Sequence, residues 1–244
     1  MSYVLWLVSW YPNKTDAFAG DFIGRQAKAV SLNSKLIIIF VTKDTAKNKA
    51  DIECIENENL IVYKGYYGKT SNGWLEKFIS NRKYITLQKK IFKKIISEHG
   101  LPSLVHVHVA MKAGSLARFI MKKYGIKYIV TEHWTGYFKN AIKNIYNSGY
   151  FFKRYSTRIL SQASLLLPVT HNLGKTISSI VNTSYTVIPN VVDTNLFCYS
   201  PKQQNKFRFI HVSTMSYQKD PESIIRVAKQ LWDEGFEFEL VMIG

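Results

Sequence analysis

The stretch LVHVHVAMKAGSLARFIMKKYGIKYIVTEHW, residues 104–134, holds a strand, a helix and a second strand in immediate succession. LVHVHV (104–109) is a short run with apolar residues at every second position. AGSLARFIMKKYG (113–125) carries apolar residues at helical spacing and ends on Gly125. IKYIVT (126–131) is again strand-like. Two strands joined by a helix must lie parallel, because only a crossover of this length returns the chain to the same edge of the sheet.

The same alternation extends in both directions. YVLWLVSW (3–10) reads as a first strand, followed by a helix over GDFIGRQAKAVSL (20–32). KLIIIFVT (35–42) and LIVYKG (60–65) are further buried strands. From Tyr84 to Ile96 the apolar positions form one helical stripe, which Gly100 and Pro102 stop. ASLLLPVT (163–170), a helix over 172–181 and YTVIPN (185–190) complete the pattern. Strands that are apolar throughout, separated by helices, form a parallel sheet covered on both faces. The expectation is an α/β protein with a Rossmann-like first domain over residues 1–190. A polar, turn-rich stretch over 191–206 reads as a linker. FRFIHVST (207–214), PESIIRVAKQLWDEG (221–235) and FEFELVMIG (236–244) then make one βαβ unit, an incomplete second Rossmann-like domain over 207–244.

The 244 residues carry 33 Lys and Arg against 17 Asp and Glu, a formal charge of +16. This bias suits an anionic partner: nucleic acid, a phosphate-bearing ligand or an acidic membrane surface. Nucleic acid is set aside, because no helix-turn-helix, zinc or OB-type pattern stands behind the charge. Basic residues concentrate at Arg82, Lys83, Lys89, Lys90, Lys93 and Lys94, the last four opposite the apolar stripe, and again in FFKRYSTR (151–158). Such faces suit an anionic bilayer surface; solvated helix faces are the plainer reading. The two cysteines, Cys54 and Cys198, form no ligand spacing and no disulfide framework, which suits a reducing cytoplasm. MSYVLWLVSWYP lacks a basic leader region, and no apolar run approaches the roughly 20 residues that span a bilayer. The expected location is cytoplasmic, with peripheral attachment to the inner face of the membrane as a further expectation.

Ligands of open α/β sheets bind beyond the carboxyl ends of the strands. His108 and His133 both fall at or just after such ends, and His106 shares a face with His108 because strand periodicity is two. They are either hydrogen-bonded core histidines or part of a site. A metal reading of His-x-His needs further His and Asp ligands at later strand ends; His133 follows the next strand, but no Asp or Glu ends the remaining strands, so no metal is expected.

SWYPNKTDAFAGDFIGRQAKAV (9–30), LVHVHVAMKAGSLA (104–117), IVTEHWTGY (129–137) and VIPNVVDTNLF (187–197) together resemble the amino-terminal half of family-4 glycosyltransferases, and FRFIHVSTMSYQKDPESIIRVAKQL (207–231) resembles the opening of their second half. That resemblance implies a GT-B fold and transfer of a hexose, with retention, from a nucleotide sugar to a cell-surface glycan or lipid-linked acceptor. It implies no cofactor and no obligatory metal. Carried onto this chain, it places His108 beside the transferred sugar as the catalytic position. Gly20, Glu132, His133 and Trp134 become acceptor- or sugar-facing residues. Helix N-terminal N–H groups beyond Gly20 would favour a phosphate or sugar oxygen.

In the second half, the family's diphosphate grip is an arginine followed five residues later by a lysine. Lys219 matches the lysine, but Thr214 stands at the arginine's position and cannot offer a charge-assisted bidentate contact. The family's carboxylate-containing donor motif lies beyond residue 244. The 244 residues are therefore expected not to transfer sugar alone, but to need a partner chain or further sequence for the rest of the donor site. The competing expectation is a non-catalytic interaction subunit or inactive remnant with the same fold.

Overall fold

The computed structural model describes residues 2–46, 49–69, 75–201 and 206–244. It divides into two compact units, Met1–Asp193 and Thr194–Gly244.

In the first unit, β1 (Val4–Val8), β2 (Leu36–Lys43), β3 (Asp51–Asn57), β4 (Leu60–Tyr67), β5 (Leu104–His108), β6 (Tyr128–Glu132) and β7 (Leu165–Pro168) form one sheet in the order β3-β4-β2-β1-β5-β6-β7. All neighbours pair in parallel except β3 and β4. The helices are α1 (Asp21–Ser31), α2 (Glu76–His99), α3 (Ala110–Tyr124), α4 (Tyr150–Ser161) and α5 (His171–Val181).

Strand alternation sorts the core into two layers. Leu5, Leu7, Ile37, Ile39, Val105 and Val107 point to the face covered by α2, α3, α4 and α5, where they meet Leu87, Ile91, Leu116, Ile120 and Ile159. Trp6, Val8, Ile38 and Phe40 point the other way, onto Ile23 and Ala27 of α1. Register pairs Trp6 with His106 and Val8 with His108, so both histidines share the α1 face with the tryptophan.

The structure departs from the sequence expectation at identifiable places. The sheet is not wholly parallel. Asp51–Asn57 adds an antiparallel edge strand through a two-residue turn at Glu58-Asn59. Its residues are mostly exposed, and Asp51, Glu53 and Glu56 interrupt the apolar ones, as an edge strand tolerates, so no apolar run marks it. Residues 185–190 are not a strand. Tyr185 makes a single bridge to Leu166, and Thr186 and Ile188 donate backbone N–H groups to Leu166 and Pro168 before Pro189 interrupts the ladder. Helix α2 begins eight residues before the periodic stripe, and α4 forms where only a basic cluster was apparent, because it buries little beyond Ser156, Ile159 and Leu160.

In the second unit, β8 (Arg208–Val212) and β9 (Glu239–Ile243) pair in parallel around α6 (Pro221–Asp233). Asp220 caps α6 by accepting from the Ser223 N–H at 3.3 Å. No residue of α6 is buried.

Gly114 of α3 tests the packing between α3 and α4. A Cβ there would lie 2.5 Å from Ile159 Cγ2. Gly114→Val is expected to cost about 2 kcal/mol by overpacking, lowering the main melting transition by roughly 4–8 °C. An unchanged transition would mean that α4 is free to move away.

Candidate functional site

Glu132 ends β6 fully buried. Its Oε2 accepts from the Ala110 N–H at 3.0 Å and the Tyr137 hydroxyl at 3.1 Å. Its Oε1 accepts from the N–H groups of His133 and Trp134, both at 3.1 Å. The carboxylate thus ties the end of β6 to the first turn of α3 and to the following loop. Burial raises its pKa and the four donors oppose that rise. Burial and then the nearby carboxylate push the Tyr137 hydroxyl well up. The expectation that Glu132 faces an acceptor or sugar is corrected here: both oxygens are consumed by the protein, so its role is to position the loop.

The histidines form a stacked column on the α1 face. His106 and His108 have ring centroids 4.2 Å apart, and His108 and His133 5.8 Å apart with planes 19° from parallel. Trp6 lies 4.0 Å from His108, and Phe22 4.6 Å from His133. His106 shares a hydrogen bond of 2.7 Å with Thr131, as a core histidine would. Both ring nitrogens of His108 and of His133 are buried without a partner. His108 is 1% exposed. The expected direct contact between His108 and a sugar is therefore corrected for this conformation; its ring lies against Trp6 and below neighbouring imidazoles. Burial, then His133, lowers the His106 pKa to about 3; burial, then His106 and His133, takes His108 well down; burial alone takes His133 to about 4. Among the described residues no group of three or more His, Cys, Asp or Glu side chains is placed to hold a metal ion.

Gly20 adopts φ +62° at the start of α1, and a Cβ there would lie 2.6 Å from the Trp10 carbonyl carbon. The close approach that needs glycine is thus made to the protein's own backbone, which corrects the ligand-facing role expected of Gly20. Trp134 is half-buried, 5.2 Å from the Tyr137 ring and 5.8 Å from that of Phe152, over Gly136.

A polar cavity of about 360 Å³ opens at the carboxyl ends of β1 and β2, lined by Ser9, Trp10, Thr42, Lys43, Tyr84 and Lys112 among others. Trp10 joins it to the histidine column: its ring is 6.4 Å from Phe22, which contacts His133. Lys43 is paired with Glu76 at 2.7 Å, while Lys112 lies 5.5 Å over the Tyr84 ring. Lys43 and Lys112 were not singled out from the sequence, although Lys43 ends β2 as His108 ends β5 and Lys112 lies in the first turns after β5.

In the second unit, the loop from β8 to α6 is closed by its own bonds. His211 Nε2 lies 2.8 Å from Ser213 Oγ, which accepts from the Met215 N–H at 3.0 Å. Thr214 and Lys219 are exposed on this loop, with neither in an ion pair among the described residues.

With that geometry in place, the comparisons with known proteins identify the family. Residues 56–196, more than half of the chain, match Glycosyltransferase Family 4. The chain belongs to that family. No curated protein matches it in sequence. Solved structures share its fold. An E. coli trehalose-6-phosphate protein bound with UDP-2-fluoro glucose matches at TM-score 0.63 and 11% identity over 98% of this chain and 64% of that one. Sucrose-phosphate synthase from Thermosynechococcus elongatus matches at TM-score 0.61 and 11% identity, over 99% and 71%. A UDP-forming α,α-trehalose-phosphate synthase from Burkholderia xenovorans in complex with glucose-6-phosphate matches at 0.63 and 10%, over 99% and 65%. At such identity the likeness is one of fold, that of the GT-B glycosyltransferases. The chain spans 64% of the length of the first of these structures.

The histidine column makes stability depend on pH with a definite sign. Folded pKa values lie below the ordinary value near 6.5, so the unfolded chain takes up protons first as pH falls. The contribution is complete above pH ~6.5 and is lost progressively as pH falls, through the His133 value of about 4 and on to the His106 value of about 3, by at most about 4 kcal/mol per pH unit for three protons. Denaturant midpoints measured across that window should fall with pH, and His108→Phe should flatten the slope. Glu132→Ala should cost about 3 kcal/mol or more at neutral pH by orphaning four donors. A midpoint that does not move in Glu132→Ala would remove the positioning role.

Proposed function

We propose that this chain carries the acceptor side, and part of the donor side, of a hexosyltransferase that acts with retention on a glycan or lipid-linked acceptor. The observation that carries this reading is the polar cavity at the carboxyl ends of β1 and β2 in a family-4 chain. Thr42 offers it a hydroxyl, the Ser9 hydroxyl being bonded to the Val109 carbonyl and the Ala113 N–H, and Trp10 offers an aromatic face on which a sugar ring can lie. Glu76 neutralises Lys43, which leaves Lys112 as a lining cation without an acid partner among the described residues, so the lining suits a hydroxyl-rich sugar better than a multiply charged group. The unpartnered nitrogens of His108 and His133 are retained at a cost to folding, since an unsatisfied buried polar atom costs about 1–3 kcal/mol; neither ring lines the cavity, so they bear on it only through Phe22 and Trp10. On this reading Trp134 keeps an acceptor-facing role, and transfer needs no metal or cofactor.

The donor is a nucleotide sugar, as the UDP-2-fluoro glucose of the E. coli structure suggests. In the second unit Lys219 would meet its diphosphate as a point charge, and Thr214 would add only a hydroxyl. The remaining donor contacts would come from further sequence or a partner chain. A second reading, a non-catalytic subunit, is favoured by one observation: Ile225, Val227 and Trp232 of α6 are all more than half exposed, a surface fit for another polypeptide.

Calorimetric titration of the chain with glucose and with UDP-glucose tests the division. Glucose should bind, and Trp10→Ala and Lys112→Ala should each weaken binding several-fold. UDP-glucose should bind more weakly than the ~1 μM–1 mM typical of enzyme substrates. Sub-millimolar UDP-glucose binding, or product formed by the chain alone, would make these 244 residues a complete transferase. Absence of any saccharide binding would favour the subunit reading.

A further inference from the structure

The cavity at the carboxyl ends of β1 and β2 has a charge balance that narrows what it can hold. Its charged lining residues are Lys43, which ends β2, and Lys112, in the first turn of α3. Lys43 Nζ meets Glu76 at 2.7 Å, so this pair adds no net charge. Lys112 has no acid partner among the described residues, and its ammonium lies 5.5 Å over the ring of Tyr84. A cation–π contact holds the ammonium in place without cancelling its charge. Tyr84 is itself fixed, because its ring is buried and its hydroxyl accepts from Gln88 Nε2 at 3.0 Å.

The surrounding groups do not alter the count. Asp44, next to Lys43, answers Lys14 at 3.6 Å and the Ala46 N–H at 3.0 Å. Glu132 spends both oxygens on protein donors and does not line the cavity. The histidine column adds no charge at neutral pH, because burial holds all three rings well below their ordinary value. The cavity therefore carries one uncompensated positive charge. Of its hydroxyls, that of Ser9 is bonded to the Val109 carbonyl and the Ala113 N–H, and that of Ser80 donates to the Tyr67 hydroxyl at 3.2 Å. The Thr42 hydroxyl has no protein partner among the described residues, which leaves it and the Lys112 ammonium free to donate to a ligand.

We propose that the sugar seated in this cavity carries one negative charge, as the carboxylate of a hexuronic acid does, and that Lys112 is the residue that selects it. The inference rests on the acceptor reading above and deepens it by naming the class of acceptor. A neutral hexose leaves the Lys112 charge unanswered, and a phosphate dianion brings more charge than one free cation meets. A carboxylate matches the count. With that group on Lys112, the sugar's hydroxyls have Thr42 and its ring face has Trp10. Lys112 is exposed, so the attraction is that of a partly solvated pair, about two- to fivefold in affinity.

The test is calorimetric titration of the full chain, without donor, with methyl glucuronide, methyl glucoside and glucose-6-phosphate. The glucuronide should bind about two- to fivefold tighter than the glucoside, and the margin should shrink as salt rises. Lys112→Gln should bring the ratio of the two close to unity, whatever it does to the affinity for either. Glu76→Gln, which frees the charge of Lys43, should move glucose-6-phosphate ahead of the glucuronide. Equal binding of glucuronide and glucoside by the unaltered chain, or a preference that survives Lys112→Gln, would overturn the charge selection and leave the sugar cavity standing. Glucose-6-phosphate ahead of the glucuronide in the unaltered chain would overturn it too. No binding of any of the three would remove the acceptor cavity itself, and the inference with it.

Discussion

Four donors converge on the two oxygens of Glu132, and the functional end of the first unit is organised around that convergence. The Ala110 N–H fixes where α3 begins, the His133 and Trp134 N–H groups fix how the chain leaves β6, and the Tyr137 hydroxyl pins the loop that follows. A buried carboxylate is expensive unless every lone pair is met, and here the protein meets them with groups that would otherwise be helix-end and loop orphans. Loop and helix therefore stabilise one another through a side chain that contacts no solvent. The orientation of His133 over His108 follows from it, because the backbone of His133 is itself one of the donors.

That arrangement rests in turn on how the sheet divides its residues. On the face covered by four helices, β1, β2 and β5 present aliphatic side chains, and Tyr63, Tyr67 and Tyr128 add rings from β4 and β6. On the α1 face, β1 and β5 present Trp6, His106 and His108 side by side. A single helix covers this second face, and aromatic and imidazole rings fill the space that aliphatic packing would otherwise need a second helix to close. Stacked neutral imidazoles pack like other rings but keep polar edges. The consequence is a hydrophobic layer that leads to polar atoms at the carboxyl edge of the sheet, where Ser9 and Trp10 continue into the cavity.

Much of this was legible in the sequence, and the reasons for what was not are physical. The parallel strands showed because burial on both faces forces continuous apolar runs, as in LIIIFVT of β2. The edge strand β3 did not, since its residues face solvent and carry charges, and helix α4 was hidden because few of its residues are buried. At the site, position along the chain located His108, His133 and Glu132 at strand ends, yet it could not distinguish a side chain that leaves the sheet from one that turns back into the protein. Glu132 turns back, and a motif shared across a family reads the same either way. Gly20 was marked as a place of close backbone approach, but only the fold reveals that the approaching backbone is that of Trp10.

Helix α2 shows how an excess of positive charge can be carried without loss of stability. Its buried stripe, from Tyr84 through Ile95, supplies the apolar burial that fixes it on the sheet, roughly 25 cal/mol for each Å² of apolar surface removed from water. The outer face is then free of any packing demand. Cations there repel one another at only tenths of a kcal/mol per neighbouring pair in water. The nearby acids on the same helix are spent on Lys43, at the rim of the polar cavity, and on Lys94, one turn from the helix end. Lys43 is thus neutralised at the rim of the polar cavity, whereas Lys112 of the same cavity and Arg82, Lys83 and Lys90 of the groove between α2 and the end of β4 have no acid partner among the described residues. The chain contains enough acids to have paired Arg82 and Lys90 as well, and a helix selected only for solubility would interleave the two signs along its face.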